Sequence, residues 1–201
     1  MTFRTITPTA GILATALILA GCSDPGGSDM EGMDHGGTTS SPSASAEATD
    51  TTFNDADVTF AMEMVMHHQQ AIEMSDTLLA KEGVHPDVVA LAERIKAAQG
   101  PEIDTMNQWL EAWGQDSDME GLDHGTGMMS EDDMAALEEA DGETASALFL
   151  EQMIMHHQGA IDMAQTQVDN GANPEAVSLA QKIVEDQAAE IAEMQELLNQ
   201  L

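Results

Sequence analysis

Two short segments hold most of the residues able to do chemistry. His67-His68 and His156-His157 are paired histidines, and each pair follows a methionine by three residues: Met64 before His67, Met153 before His156. Further methionines, Met74 and Met163, stand seven residues after His67 and His156. On a helix, residues three or seven apart share a face, so each segment would align thioethers and an imidazole along one stripe. Thioether with imidazole is a soft to borderline donor set. It suits copper, the cuprous ion above all, whereas zinc more often recruits cysteine or carboxylate beside histidine. Glu63 precedes His67 by four residues, but Gln152 holds the corresponding place before His156, so no carboxylate is repeated beside the imidazoles. The competing reading is metal-free: methionine fills irregular core gaps and the histidines are buried polar groups with local partners.

The segments recur because the chain is duplicated. Ser28–Gly36 returns as Ser117–Gly125, and Phe60, Met64, Met66-His67-His68-Gln69, Ala71-Ile72 and Met74 return 89 residues later. After the loss of one residue the offset is 88, matching Gly83, Pro86, Gln99, Glu102, Met106 and Leu110 to Gly171, Pro174, Gln187, Glu190, Met194 and Leu198. Each repeat reads as a helical hairpin, over about 55–113 and 143–199. Gly83 is placed to cap a first helix, Pro86 and Pro174 are suited to the first turn of a second, and His85 is expected to cap there. Gly100-Pro101 predicts a kink, and Ser130 and Asp133 predict the start of a short helix before the second hairpin. Phe60, Met64, His67, Ala71, Met74 and Leu78 fall within an arc of about 80°, as do Phe149, Met153, His156, Ala160 and Met163. That stripe should face the interior of an all-α four-helix bundle over 55–201, with His68 and His157 turned toward neighbouring helices.

Composition narrows the function. The chain has 201 residues, 5 Lys+Arg against 37 Asp+Glu, a net charge of −32, and one cysteine. Clustered basic residues for phosphate are absent, so nucleic acid is excluded as a partner. One cysteine excludes an intramolecular disulfide framework and thiolate-rich metal sites. No Ser-His-Asp or Cys-His nucleophile set is offered, and an oxidase would lack repeated carboxylates; the chain reads as a binding protein, not an enzyme. The acidic excess reads as a solvated surface, with weak attraction for cations.

Residues 1–21 read as a signal peptide. Arg4 precedes a short apolar run ending in Leu19-Ala20-Gly21-Cys22, which resembles the bacterial lipoprotein box. It implies cleavage before Cys22, a lipid on its thiol and an extracytoplasmic, membrane-anchored protein. Residues 22–54 are poor in large aliphatic groups and should form a disordered tether. Met30, Met33 and His35 in that tether, and Met119, His124, Met128 and Met129 between the hairpins, sit among Gly, Asp and Ser. They read as exposed, secondary metal-recruiting groups.

The pattern Phe-x3-Met-x-Met-His-His-Gln-x-Ala-Ile-x-Met, present twice, resembles the bacterial domain of unknown function 305 family. The resemblance spans about Asp55 to Leu201. It implies a ferritin-like four-helix fold in a secreted or envelope protein, and for some relatives a link to copper binding and tolerance. The resulting expectation is a copper buffer or chaperone that exchanges metal with a protein partner still to be identified.

Overall fold

The computed structural model describes residues 52–115 and 126–201. They fold into five helices: α1 (Asp55–Leu79), α2 (Pro86–Ala112), α3 (Glu131–Glu139), α4 (Gly142–Asn170) and α5 (Pro174–Leu198). No strand occurs among the described residues, and no helix there is long and apolar enough to cross a membrane. The four long helices make the bundle, with α1/α2 and α4/α5 as its two hairpins.

Local chemistry sets the helix starts. Asn54 caps α1 in a capping box with Asp57, and Ser130 caps α3 in a capping box with Asp133. His85 and Asn173 cap α2 and α5 ahead of Pro86 and Pro174, and Asp141 caps α4. The expected tether boundary at residue 54 needs correction. Asn54 belongs to the bundle as a cap, and the Phe53 ring stacks on Trp113 with 5.0 Å between centroids. Gly83 is likewise not the α1 cap. Ala80 fills that role in right-handed conformation, and Gly83, at φ +81°, makes the left-handed turn three residues later. Pro101 does not end α2. The helix runs through it, and the Thr105 hydroxyl donates to the Pro101 carbonyl at 2.9 Å.

The hairpins pack through α1 and α4, which run antiparallel. Asp57 near the start of α1 accepts hydrogen bonds from Gln167 late in α4 and from the backbone N–H groups of Ala172 and Asn173 just beyond it. At the other end the Ser146 hydroxyl, early in α4, accepts from the His85 N–H that follows α1. Since α2 ends beside the start of α1 and α4 starts beside its end, the connection between hairpins must travel the length of the bundle. Its described part contains residues 126–130 and α3.

The core has two apolar halves. Phe60, Met64, Met106, Leu110, Ala160, Ala164 and Ile183 form the half around the start of α1. Met74, Leu78, Leu91, Ile95, Leu137, Phe149, Met153 and Met194 form the half around its end. Between them, at the midpoint of α1 and α4, lie the histidines.

Candidate metal centre

His67 and His156 face each other across the α1/α4 interface, with ring centroids 3.7 Å apart and planes tilted by 38°. His68 and His157, one residue on, are also buried and reach outward to the second helix of their own hairpins. His68 Nε2 lies 2.9 Å from the Glu102 carboxylate on α2, and His157 Nε2 lies 2.7 Å from Glu190 on α5. The two pairs are related by the duplication. A carboxylate can only accept, so each Nε2 donates, and in the neutral form of such a ring Nδ1 keeps a lone pair.

Six ring nitrogens of this layer are buried without a hydrogen-bond partner: both of His67, both of His156, and Nδ1 of His68 and of His157. Gln99 on α2 and Gln187 on α5, again related by the duplication, each add a buried and unpartnered Oε1. An unpartnered buried polar atom costs about 1–3 kcal/mol, so this layer opposes folding unless something binds there. Burial disfavours charge on three of these rings. Burial, reinforced by His68 and His157, lowers the His67 pKa to about 3; the Thr126 carbonyl, which approaches His67 without making a well-formed hydrogen bond, offsets this only in part. Burial also holds His156 well below the ordinary imidazole range, and His68 below it despite Glu102. Burial alone would raise Glu102, but the His68 contact and then Lys182 bring it below the usual carboxylate range. Neutral imidazole is the form that ligates metal, so at neutral pH no proton competes for the lone pairs of His67, His68 and His156. A carboxylate behind the far ring nitrogen is the arrangement that orients metal-binding histidines. The donors fit a soft or borderline cation. They do not yet enclose one: among the described residues, no three His, Cys, Asp or Glu side chains converge on a common point.

Of the methionines expected beside the histidines, Met64, Met74 and Met153 are fully buried. Antiparallel packing splits them: Met74 and Met153 lie in one apolar half and Met64 in the other. Met163 departs from the expected interior stripe. It is only half-buried, packs at the edge of the half containing Met64, and lines an open cleft of about 400 Å³ with Asp55, Glu63 and Asp162. Met106 joins Met64 in one half and Met194 joins Met74 and Met153 in the other, each as a further buried thioether. Their recurrence at offset 88 is the signal in the sequence that marks them.

The expectation for the inter-hairpin cluster is overturned at Met129. It is not an exposed recruiting group: it is 9% exposed and part of the apolar core. The Gln70 carboxamide clasps its backbone, accepting from the Met129 N–H at 2.7 Å and donating to its carbonyl at 2.9 Å. Met128 is half-buried. Met30, Met33, His35, Met119, His124 and Cys22, with the signal peptide and nearly all of the expected tether, lie outside the described residues. The absence of a repeated carboxylate also needs correcting. Glu102 and Glu190 are repeated and touch the imidazoles, but they come from the partner helix of each hairpin and not from the His-His segments.

The fold and this layer define a class of protein: a duplicated helical-hairpin bundle with a buried, carboxylate-backed histidine layer at its centre. Residues 57–198 match the model of the domain of unknown function (DUF305), and the chain belongs to that family. Among solved structures it is similar to a DUF305 protein of Streptomyces coelicolor described as secreted. The two are 32% identical with a TM-score of 0.69, over 72% of this chain and 91% of that one. It is also similar to a DUF305 fragment from Deinococcus radiodurans, at 33% identity and TM-score 0.68, over 74% and 99% of the two chains. CopM in its Cu(I)-bound form is 32% identical with a TM-score of 0.62, over 72% of this chain and 96% of CopM. CopM is also known in Cu(II)-bound, silver-bound and metal-free forms. No curated protein matches the chain.

Proposed function

We propose that this protein binds copper as cargo outside the cytoplasm, preferring the cuprous ion, and serves as a buffer or chaperone and not as an enzyme. The observation that carries the reading is the set of six buried, unpartnered imidazole nitrogens at the junction of the two repeats. His67, His68, His156 and His157 supply nitrogen ligands, and the thioethers of Met64, Met74, Met153 and Met163 supply soft donors on either side. The copper- and silver-bound forms of CopM, a relative of similar fold, support the metal class. Cys22 is the proposed lipid anchor, and the Streptomyces relative described as secreted agrees with export.

Competition against a cuprous chelator tests the site. His67→Ala with His156→Ala should weaken binding far more than deletion of residues 23 to 50, in proteins of equal helicity. If the deletion costs more affinity, the bundle is a scaffold and the tail binds. The metal-free reading has one observation in its favour, the full burial of Met64, Met74 and Met153 within the two apolar halves of the core. A parent protein that takes up no cuprous ion would establish it. Equal palmitate incorporation by parent and Cys22→Ser would dispose of the anchor.

A further inference from the structure

The histidine layer is enclosed unequally. On the α1/α4 side the connection between hairpins lies across it as a strap. Thr126 and Gly127 press onto α4 at Gly159, where even a Cβ on Gly159 would collide with the Thr126 carbonyl oxygen. Two residues on, Gln70 of α1 clasps the Met129 backbone through both its amide atoms. Positions 70 and 159 are equivalents in the duplication, and both sit one turn beyond the facing histidines. The strap is therefore fastened to α1 and α4 at the level of the layer.

The opposite side carries no strap. Between α2 and α5 runs a cleft of about 180 Å³ whose lining includes Gln99, Gln187, Glu102 and Glu190, with the exposed Ala98 and Ala189 at its rim. All four polar residues are duplicated, buried or nearly so, and built from oxygen donors. Glu102 and Glu190 face both ways: their side chains are 13% and 21% exposed, and their carboxylates bond to His68 and His157. Lys182, itself 57% exposed, lies beside the cleft: its ammonium pairs with the lining residue Asp186 at 2.5 Å and stands 3.2 Å from the second Glu102 oxygen.

We propose that the α2/α5 cleft is the port through which a soft cation reaches the histidine layer, with Glu102 and Glu190 as the oxygen ligands that replace its hydration water. From there the ion passes to the Gln99 and Gln187 oxygens and the free imidazole nitrogens, and returns the same way on release. Lys182 stays beside Glu102 until the ion displaces it. This inference rests on the metal-binding reading above, which it extends by giving the layer a route.

Stopped-flow uptake of Ag⁺, which needs no reductant, tests it with bulky plugs on exposed helix positions. Ala98→Phe with Ala189→Phe should slow uptake and release together, at least several-fold, and leave the equilibrium affinity unchanged. Lys182→Gln should speed both. Thr59→Phe with Thr166→Phe, at the larger cleft on the strapped side, should change neither. Parent-like rates in the Ala98/Ala189 variant, or slowing by the Thr59/Thr166 variant instead, would overturn the port. If the parent binds Ag⁺ and His67→Ala with His156→Ala abolishes it while the plugs do nothing, only the port fails. If the parent binds none, the metal reading and the port fall together.

Discussion

At the scale of residues, the chemistry of the centre follows from neutral imidazole in a place that rejects charge. His67, with a pKa lowered to about 3, stays neutral in the fold under conditions that protonate it in the unfolded chain. Between pH 6.5 and that value the unfolded state binds the proton and the folded state does not. Each such histidine should therefore remove about 1.4 kcal/mol of stability per pH unit as pH falls through this window. His156 and His68 are lowered too and add to the slope. The clean interval is about pH 6.5 to 5, above the range in which carboxylates protonate and relieve the acidic surface. Urea denaturation of the metal-free protein should show stability falling steeply there, and His67→Phe with His156→Phe should flatten the profile. An unchanged slope would mean that these rings are hydrated and not buried. The histidines and their Met-x-x-His spacing are legible in the sequence. Their carboxylate partners are not, because Glu102 and Glu190 approach from other helices, and only their recurrence hints at a shared role. Met129 misleads for a related reason: its polar neighbours signal a loop, and nothing local reveals that Gln70, 59 residues earlier, holds its backbone.

At the scale of elements, capping chemistry and the amphipathic stripe place the helices, and the expected ends fall close to those observed. Backbone approach between elements is harder to read, and two glycines make the contrast testable. Gly100 lies inside α2 directly before Pro101, and a methyl group added there would meet no other element within 4 Å, only the ring of its own chain neighbour. Gly100→Ala should therefore change stability by less than about 1 kcal/mol, because the gain in helix propensity is opposed by crowding of the new methyl against the Pro101 ring. Gly159 lies inside α4 under the strap, where the same methyl meets the Thr126 carbonyl and comes within 2.7 Å of the Gly127 Cα. There the steric cost, about 1–3 kcal/mol for an overpacked contact, should exceed the propensity gain, and Gly159→Ala should destabilise. The denaturation midpoint should fall clearly for Gly159→Ala and move little for Gly100→Ala. A stabilised Gly159→Ala would mean that the strap is not fastened there. Both glycines look like defects in a helical pattern, and only the second has a neighbour that requires it.

At the scale of the whole molecule, the duplication is visible in the sequence as two hairpins, but their arrangement is not. Antiparallel packing of α1 on α4 depends on contacts such as Asp57 with Gln167 and His85 with Ser146, which span 110 and 61 residues. Charge is the other property of the whole. Against a net −32, every basic side chain among the described residues ties two parts of the fold together. Lys81 donates to the Glu138 and Ala140 carbonyls, Lys96 pairs with Asp76, Arg94 with Glu193, and Lys182 with Glu102 and Asp186. Added salt acts on both sides of this balance. It weakens these ties, each worth about 0–1 kcal/mol, and it screens the mutual repulsion of a large acidic excess, which opposes the compact state throughout. The repulsion involves many more pairs, at separations near the Debye length of about 10 Å at 0.1 M salt. The melting temperature of the metal-free protein should therefore rise with added sodium nitrate, whose anion does not precipitate silver, and most steeply at the low end. The same salt should slow Ag⁺ uptake, because the field whose self-repulsion opposes folding is also the field that draws cations to the α2/α5 cleft. A melting temperature that falls with salt would show that the ties outweigh the repulsion. Uptake indifferent to salt would show that the acidic surface has no part in delivering the ion.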